Sequence, residues 1–347
     1  MATTTVPDTL LSTEKLVGDV LSTIDRERER EIIARRFGLY DRKETLEQIG
    51  EMLGITRERV RQLEKSVINR LKAASEQGKL ADIAAFQEVV LEKVAELGNI
   101  TRISTLTEIM VKDPTRLEQS RIAFLGQLSP MLTVIGEDDY FYPSIAVKSV
   151  FDDKDIKANV ATIIAAIKKL GGPKTIEEVT KSAGLSDTKQ TGALASTSKQ
   201  LATLNGLWGL IKWPMVNPKN IRDKIYVILK ENGKHMHFNE IAEAIKDSDF
   251  KRKDVTTQAI HNELIKDKRF VLIGRGIYAL KEWGYEKGTV ADIITDVLKE
   301  ANTPLHRDEI VKRVLQSRFV KETTILLNLQ GKPQFKRVAK ATYALAE

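Results

Sequence analysis

Cysteine is absent from all 347 residues, which excludes disulfide scaffolds, thiol nucleophiles and thiolate metal sites. Aromatic residues are scarce at 6%, so the cores are expected to be aliphatic and helix-rich. No apolar run approaches the roughly 18 residues that cross a bilayer; the longest candidate is the stretch around Val160 to Ile167. The N-terminal MATTTVPDTLLS has no charged segment leading into an apolar one. A soluble cytoplasmic chain is the expectation. Histidine is also rare. His235 and His237 stand too close together for opposite-side metal ligation and fall at an expected helix start, and His261 and His306 are isolated. Gly274-Arg275-Gly276 lacks the Lys and Ser/Thr of a phosphate-binding loop. Asp152, Asp153 and Asp155 lack the Gly and closing Glu of a calcium loop, and read as solvated charge in an interdomain linker. No Ser, His and Asp set suggests a nucleophile. The expectation is a protein that is not an enzyme, with no metal, no cofactor and no small-molecule substrate.

Charge is plentiful, with 55 Lys and Arg against 48 Asp and Glu for a net +7. Such an excess over so long a chain is weak evidence for nucleic acid by itself, because charges of both signs are mostly solvated helix faces. Its placement is more informative. Residues 1–25 carry −3, 26–72 +4, 73–146 −5, 147–213 +4, 214–284 +4 and 285–347 +3. Within 26–72 the whole excess sits on Thr56 to Lys72, where Arg57, Arg59, Arg61, Lys65, Arg70 and Lys72 face only Glu58 and Glu64.

That stretch follows a recognisable local pattern. Thr45-Leu46-Glu47-Gln48 is a capping box opening a short helix, Gly54 ends it, and Thr56 caps a second helix running to about Lys72. Two capped helices around a tight Gly-containing turn make a helix-turn-helix, whose second helix reads the major groove with its N-terminal residues. Ile49, Met52, Leu53, Ile55, Val60, Leu63, Val67 and Ile68 are the expected buried seam. Arg57, Glu58, Arg61 and Gln62 then project outward. Arg suits guanine O6 and N7, Glu accepts from cytosine N4, and Gln suits adenine N6 and N7. The alternative is a solvated amphipathic helix whose charges pair along one face.

RRFGL (Arg35 to Leu39) followed by TLEQIGEMLGITRERVRQLE (Thr45 to Glu64) resembles region 4 of the housekeeping sigma factors of bacterial RNA polymerase, a domain that recognises the −35 promoter element. The resemblance spans about residues 14–74. It implies base contacts from Arg57, Glu58 and Gln62 with Arg61 beside them, and phosphate contacts from Arg28, Arg36, Leu46, Glu47, Thr56 and Arg59, the Leu and Glu contributing backbone amides. It also implies docking of the apolar N-terminal helices, within Leu16 to Ile33, on the flap of the polymerase beta subunit. Exposure of Leu16, Val20 and Ile24 is the condition for that docking. A complete sigma factor carries in addition a region 2 with a cluster of exposed aromatics, for which the remaining sequence offers no counterpart, and its region 4 comes last rather than first.

Beyond Ala74 the chain repeats. LTVIGEDDYFYPS, LNGLWGLIKWP, FVLIGRGIYALKEWG and FKRVAKATYALAE each read as two short strands around a turn. Aligning Tyr140, Trp208, Tyr278 and Tyr343 gives spacings of 68, 70 and 65 residues. Three helical patterns precede each hairpin, which makes a winged helix. The expected fold is mainly α with small β-hairpins: a tail over 1–13, the helix-turn-helix domain over 14–78, and tandem winged helices over 82–145, 155–214, 218–284 and 288–347. The third, with MHFNEIAEAI, AIHNELIKDKRFVLIG and GIYALKEWG, resembles the HARE-HTH domain found in the delta subunit of bacterial RNA polymerase. Trp208, Trp213, Tyr278 and Trp283 are expected to pack rather than stack on bases. Lys251-Arg252-Lys253 and Lys266 to Arg269 are candidate phosphate contacts, whereas the acidic turn Glu137-Asp138-Asp139 is expected to face protein or solvent.

These resemblances imply a bacterial transcription factor associated with promoter duplex DNA and with core RNA polymerase through its flap, located with the nucleoid. The alternatives are an architectural DNA-binding protein, or a scaffold that competes with sigma for the flap.

Overall fold

The computed structural model describes residues 12–250, 252, 254–285 and 288–346, so most of the expected tail, and Lys251 and Lys253 of the basic triplet, lie outside the described residues. The chain divides into two units, Met1–Ile211 and Lys212–Glu347. The first unit opens with four helices, α1 (Thr13–Ser22), α2 (Glu27–Phe37), α3 (Leu46–Leu53) and α4 (Arg57–Glu76). One module follows: α5 (Ala81–Glu96), β1 (Ile100–Arg102), α6 (Ile103–Met110), α7 (Arg116–Leu128), β2 (Leu132–Ile135) and β3 (Ser144–Val147). The next comprises α8 (Asp153–Leu170), β4 (Lys174–Thr175), α9 (Ile176–Ala183), α10 (Thr188–Thr197), β5 (Leu201–Leu204) and β6 (Leu207–Leu210).

The second unit runs through α11 (Ile221–Asn232), β7 (Met236–His237), α12 (Phe238–Asp247), α13 (Thr257–Lys266), β8 (Phe270–Gly274) and β9 (Ile277–Leu280). It ends with α14 (Val290–Ala301), β10 (Leu305–His306), α15 (Arg307–Ser317), α16 (Glu322–Gly331), β11 (Phe335–Ala339) and β12 (Thr342–Leu345). Every module thus has the order helix, short strand, two helices, two strands. Its three strands form an antiparallel sheet with the last strand in the middle, β1-β3-β2, β4-β6-β5, β7-β9-β8 and β10-β12-β11.

Local chemistry explains much of this. In each module the first strand runs straight into a helix, and in the last three the residue at the joint carries the cap: Thr175 accepts from the Glu178 amide, His237 from the Asn239 amide and His306 from the Asp308 amide. Trp208, Tyr278 and Tyr343 occupy one register position, opposite Lys174, Met236 and Leu305. Tyr140 does not share it. Residues 136–143 form a longer turn in the first module, so Ile145, paired with Thr101, takes the equivalent place, and Tyr140 is exposed on the turn. Asp152, Asp153 and Asp155 are not a linker either. Asp152 caps α8 through the Asp155 amide at 2.7 Å, Asp155 returns the bond to complete a capping box, and Asp153 accepts from Lys157 at 2.7 Å. The bond from that amide holds the Asp152 carboxyl below the usual carboxylate range.

The expected boundary near residues 78–82 runs through a continuous core. Leu16, Val17, Val20, Leu21 and Ile24, around α1, pack in one cluster with Ile68 and Leu71 of α4, Phe86 and Val90 of α5, and Phe124 and Leu125 of α7. Leu16, Val20 and Ile24 are 5%, 2% and 3% exposed. The condition for docking through them is therefore not met, because α7 already packs on α1 and these side chains are buried in the shared core. Arg121 of α7, itself buried, holds the joint by donating to the Leu39 carbonyl (3.2 Å), Glu118 (2.7 Å) and Glu14 (3.5 Å). Ser12 and Thr13, placed by expectation in a tail, belong to this structure. Ser12 caps α1 and the Thr13 hydroxyl donates to Glu118.

A second core, smaller, belongs to the helix-turn-helix: Ile32, Ile49 and Val60, with Leu46, Leu53, Ile55 and Leu63 against them. Neighbours Ile32 and Ile33 of α2 thus face different cores. Met52, expected in the seam, is 43% exposed, and Val67 and Ile68 serve the larger core instead.

The acidic turn of the first module meets protein within the chain. The Tyr142 amide donates to the Thr197 carbonyl (2.8 Å), the Lys199 amide to the Tyr140 carbonyl (2.7 Å), and Lys199 Nζ to Glu137 (2.9 Å). Arg102 lies over the Tyr142 ring at 4.1 Å and donates to the Ser196 carbonyl. Among the described residues, no helix is long and apolar enough to cross a membrane.

Candidate nucleic-acid interface

The interface is assembled from two capped helix starts, one opening α3 and the other opening α4 just after the turn that ends α3. Thr45 accepts from the Gln48 amide at 3.2 Å while Gln48 Oε1 accepts from the Thr45 amide at 2.9 Å. The Ile49 amide bonds the Thr45 carbonyl. This leaves the amides of Leu46 and Glu47 as the donors that a helix N-terminus cannot satisfy internally, where an anion is favoured. Gly54 closes α3 with φ 65 and ψ 36, left-handed values that suit glycine. Thr56 then caps α4 by accepting from the Arg59 amide at 3.2 Å.

How close the two helices come depends on Gly50, which the pattern of caps and charges does not single out. A Cβ on Gly50 would lie 2.7 Å from the Ile55 carbonyl oxygen, which itself follows a turn closed by the Ile55 amide on the Gly50 carbonyl at 3.0 Å. The available signal was a glycine in the middle of a well-capped helix, where it costs stability unless backbone must pass close by.

Arg57, Glu58, Arg59, Arg61 and Gln62 all lie exposed on the first turns of α4. Arg61 donates from Nε to Glu58 Oε2 (2.8 Å) and from Nη2 to Oε1 (2.7 Å), a two-pronged pair. Gln62 Nε2 adds a contact to Glu58 at 3.4 Å, and Arg59 Nη1 donates to Gln62 Oε1 at 3.4 Å. The Arg61 hydrogen bonds hold the Glu58 carboxyl below its usual range, and Glu58 raises Arg61 in turn. Both Glu58 carboxylate oxygens thus accept from Arg61, which leaves their remaining lone pairs exposed at the start of α4. Arg57 makes no ion pair among the described residues and is free to reach a base edge.

The expected phosphate contacts divide into two groups. Thr56, Arg59 and the amides of Leu46 and Glu47 gather at the two helix starts. Arg28 and Arg36 are partly engaged elsewhere. Arg28 donates to the Leu53 carbonyl at 2.6 Å, and Arg36 to the Glu44 carbonyl at 3.2 Å with Glu64 3.5 Å away. Both fasten α2 to the helix-turn-helix. Of the other candidate phosphate contacts, Arg269 is spent on Asp267 (2.8 Å) and Asp223 (3.2 Å). Tyr278 is buried in its module, as packing rather than base stacking requires.

Residues 26–73 match the family model described as Sigma-70, region 4. RNA polymerase sigma factor SigA of Bacillus sp is 45% identical over 65 residues. Those residues are 18% of this chain and 17% of the relative, so the chain spans under a fifth of the curated relative's length. The region 4 segment thus begins after α1 and ends within α4, and it contains the whole helix-turn-helix with every expected base-contacting residue.

Proposed function

We propose that the chain is a DNA-binding transcription factor that works with RNA polymerase and reads a −35-like promoter element through α4. The observation that supports it most is the exposed set Arg57, Glu58, Arg61 and Gln62 at the start of α4, in a segment matching Sigma-70, region 4. In this reading Arg57 and Arg61 address guanine, Glu58 cytosine and Gln62 adenine, while Thr56, Arg59 and the α3 amides fix the register on phosphates. The four modules are winged helices, a reading supported by their common element order and by the central position of the last strand in every sheet. The third is of the HARE-HTH type. They supply further contacts to DNA or polymerase, and the protein acts beside a complete initiation factor rather than in place of one. Because Leu16, Val20 and Ile24 are buried in the core shared with α7, contact with polymerase runs through other surfaces.

Arg57→Ala tests the reading. Binding to the preferred duplex, identified by selection from random sequence, weakens by about 1 to 3 kcal/mol while binding to a scrambled duplex changes little. Equal losses on both duplexes refute base reading by Arg57. Affinity capture from host extract after nuclease treatment tests the partner, and failure to recover core polymerase refutes the association.

A further inference from the structure

The four modules share one topology, yet the turns between their last two strands carry very different charge. In the first module the turn holds Glu137, Asp138 and Asp139 and is pinned to Lys199. In the second it is Asn205-Gly206, without charge, and in the third it is Gly274-Arg275-Gly276 with one cation. The fourth is unlike the others. From residue 332 to residue 346 there are four cations, Lys332, Lys336, Arg337 and Lys340, and no carboxylate. All four are exposed, and none makes an ion pair among the described residues. Several cations elsewhere in the fold pair with a neighbouring carboxylate, as Lys157 does with Asp153, Lys174 with Glu178, Lys230 with Glu282 and Arg313 with Glu309.

The backbone of this hairpin carries an irregularity that it shares with the third module, where β8 and β9 skip from Leu272↔Tyr278 to Gly274↔Ile277. β11 pairs with β12 along Phe335↔Leu345, Lys336↔Ala344 and Arg337↔Tyr343, then skips to Ala339↔Thr342, so a bulge falls at Val338. Bulges re-aim side chains at the end of a ladder. Here Val338 is 48% exposed beside Arg337, whose Nε donates to the Ala339 carbonyl at 3.3 Å. The base of the hairpin is anchored by Phe335 and Tyr343, both buried in the module core. The result is a hairpin whose edge strand is cationic. Five residues at about 3.3 Å each give it a length of roughly 16 Å, enough to cross a minor groove about 6 Å wide and meet phosphates on both sides.

We propose that the β11–β12 hairpin is a second contact to duplex DNA, gripping backbone phosphates without reading sequence. The inference rests on the reading of the chain as a DNA-binding protein and adds which module contributes and how. Uniform unpaired positive charge with a single exposed apolar side chain suits a polyanion. An apolar-centred protein interface is the poorer fit, since interface cores are depleted of charge.

The test uses the full chain and fluorescence anisotropy on preferred and scrambled duplexes, titrated with salt. The triple variant Lys336→Gln, Arg337→Gln, Lys340→Gln changes only exposed side chains, and an unaltered thermal melt confirms its fold. It is expected to flatten the slope of log K against log salt by about 0.9 for each phosphate no longer neutralised, roughly 2 to 3 in all. Both duplexes weaken by the same factor, and the variant Lys336→Arg, Lys340→Arg keeps the wild-type slope. An unchanged slope on duplex DNA overturns the inference, as does a loss confined to single-stranded RNA or to an acidic protein. If the triple variant is silent while Arg57→Ala still abolishes preference for the selected duplex, the hairpin contact falls and the helix-turn-helix reading stands. If the wild-type chain binds no duplex, both fall.

Discussion

Replacing Phe124 by alanine probes whether the helix-turn-helix and the module after it are one folding unit. Phe124 of α7 is 0% exposed, and its ring centroid lies 5.1 Å from that of Phe37 in α2 at an interplanar angle of 57°. Truncating a buried phenylalanine removes its transfer free energy and leaves a cavity, together about 3 to 5 kcal/mol. Roughly 0.5 to 1.5 kcal/mol of that is expected to come from the aromatic pair. Against a domain stability of about 5 to 15 kcal/mol the loss is severe, and it spreads through whatever shares the core. Hydrogen exchange followed by mass spectrometry reads it segment by segment. The most protected amides of α1, α2, α4 and α7 are expected to exchange faster by one common factor, about tenfold for every 1.4 kcal/mol. A result in which α5 to β3 lose protection while α1 and α4 keep theirs refutes the shared core.

Gly50→Ala places a methyl group 2.7 Å from the Ile55 carbonyl; a loss of about 1 to 3 kcal/mol in urea unfolding is expected, with weaker duplex binding, and an unchanged midpoint refutes the close approach. Thr45→Ala removes one half of the α3 capping box and is expected to cost about 0.5 to 2 kcal/mol, measured by the same unfolding assay. Glu58 keeps its charge to lower pH than an ordinary Glu, because its hydrogen bonds with Arg61 lower its proton affinity. The stabilisation of that pair is present above the ordinary Glu value and is lost as pH falls through the lowered one. In Arg61→Ala, carbon-detected NMR titration of Glu58 is expected to return to the ordinary range, and an unshifted midpoint refutes the pairing.

Features set by neighbouring residues were the legible ones. Thr45, Gln48, Gly54 and Thr56 announce two helix starts and one stop through groups at most three residues apart, so the helix-turn-helix and its outward-facing residues were readable. The hairpins were readable for the same reason, as pairs of short strands around a polar or Gly-containing turn. What depended on distant partners was not. An apolar stripe on α1 states that a face is covered, not by what. Leu16, Val20 and Ile24 therefore suited an external docking site as well as α7 at a separation of about a hundred residues. Tyr140 fitted the aromatic spacing, yet Asp138 caps the turn by accepting from the Tyr140 and Phe141 amides and so lengthens it. The aspartates at 152, 153 and 155 match a capping box and are flanked by buried Phe151 and Ile156, a local signal of a helix start that the charge of the run obscured.

The clasp between the first two modules has a kinetic meaning. Its backbone bonds join Tyr142 to Thr197 and Lys199 to Tyr140, residues more than fifty positions apart. Neither bond can form until the hairpin of one module and the helix end of the next have both taken shape, so the clasp closes late in folding. The seam is also more than these two bonds, since Phe141 bridges Ser198, Arg102 donates to the Ser196 carbonyl, and Phe141, Thr197 and Ser198 are all buried. The junction accordingly ties the completion of one module's fold to that of the next.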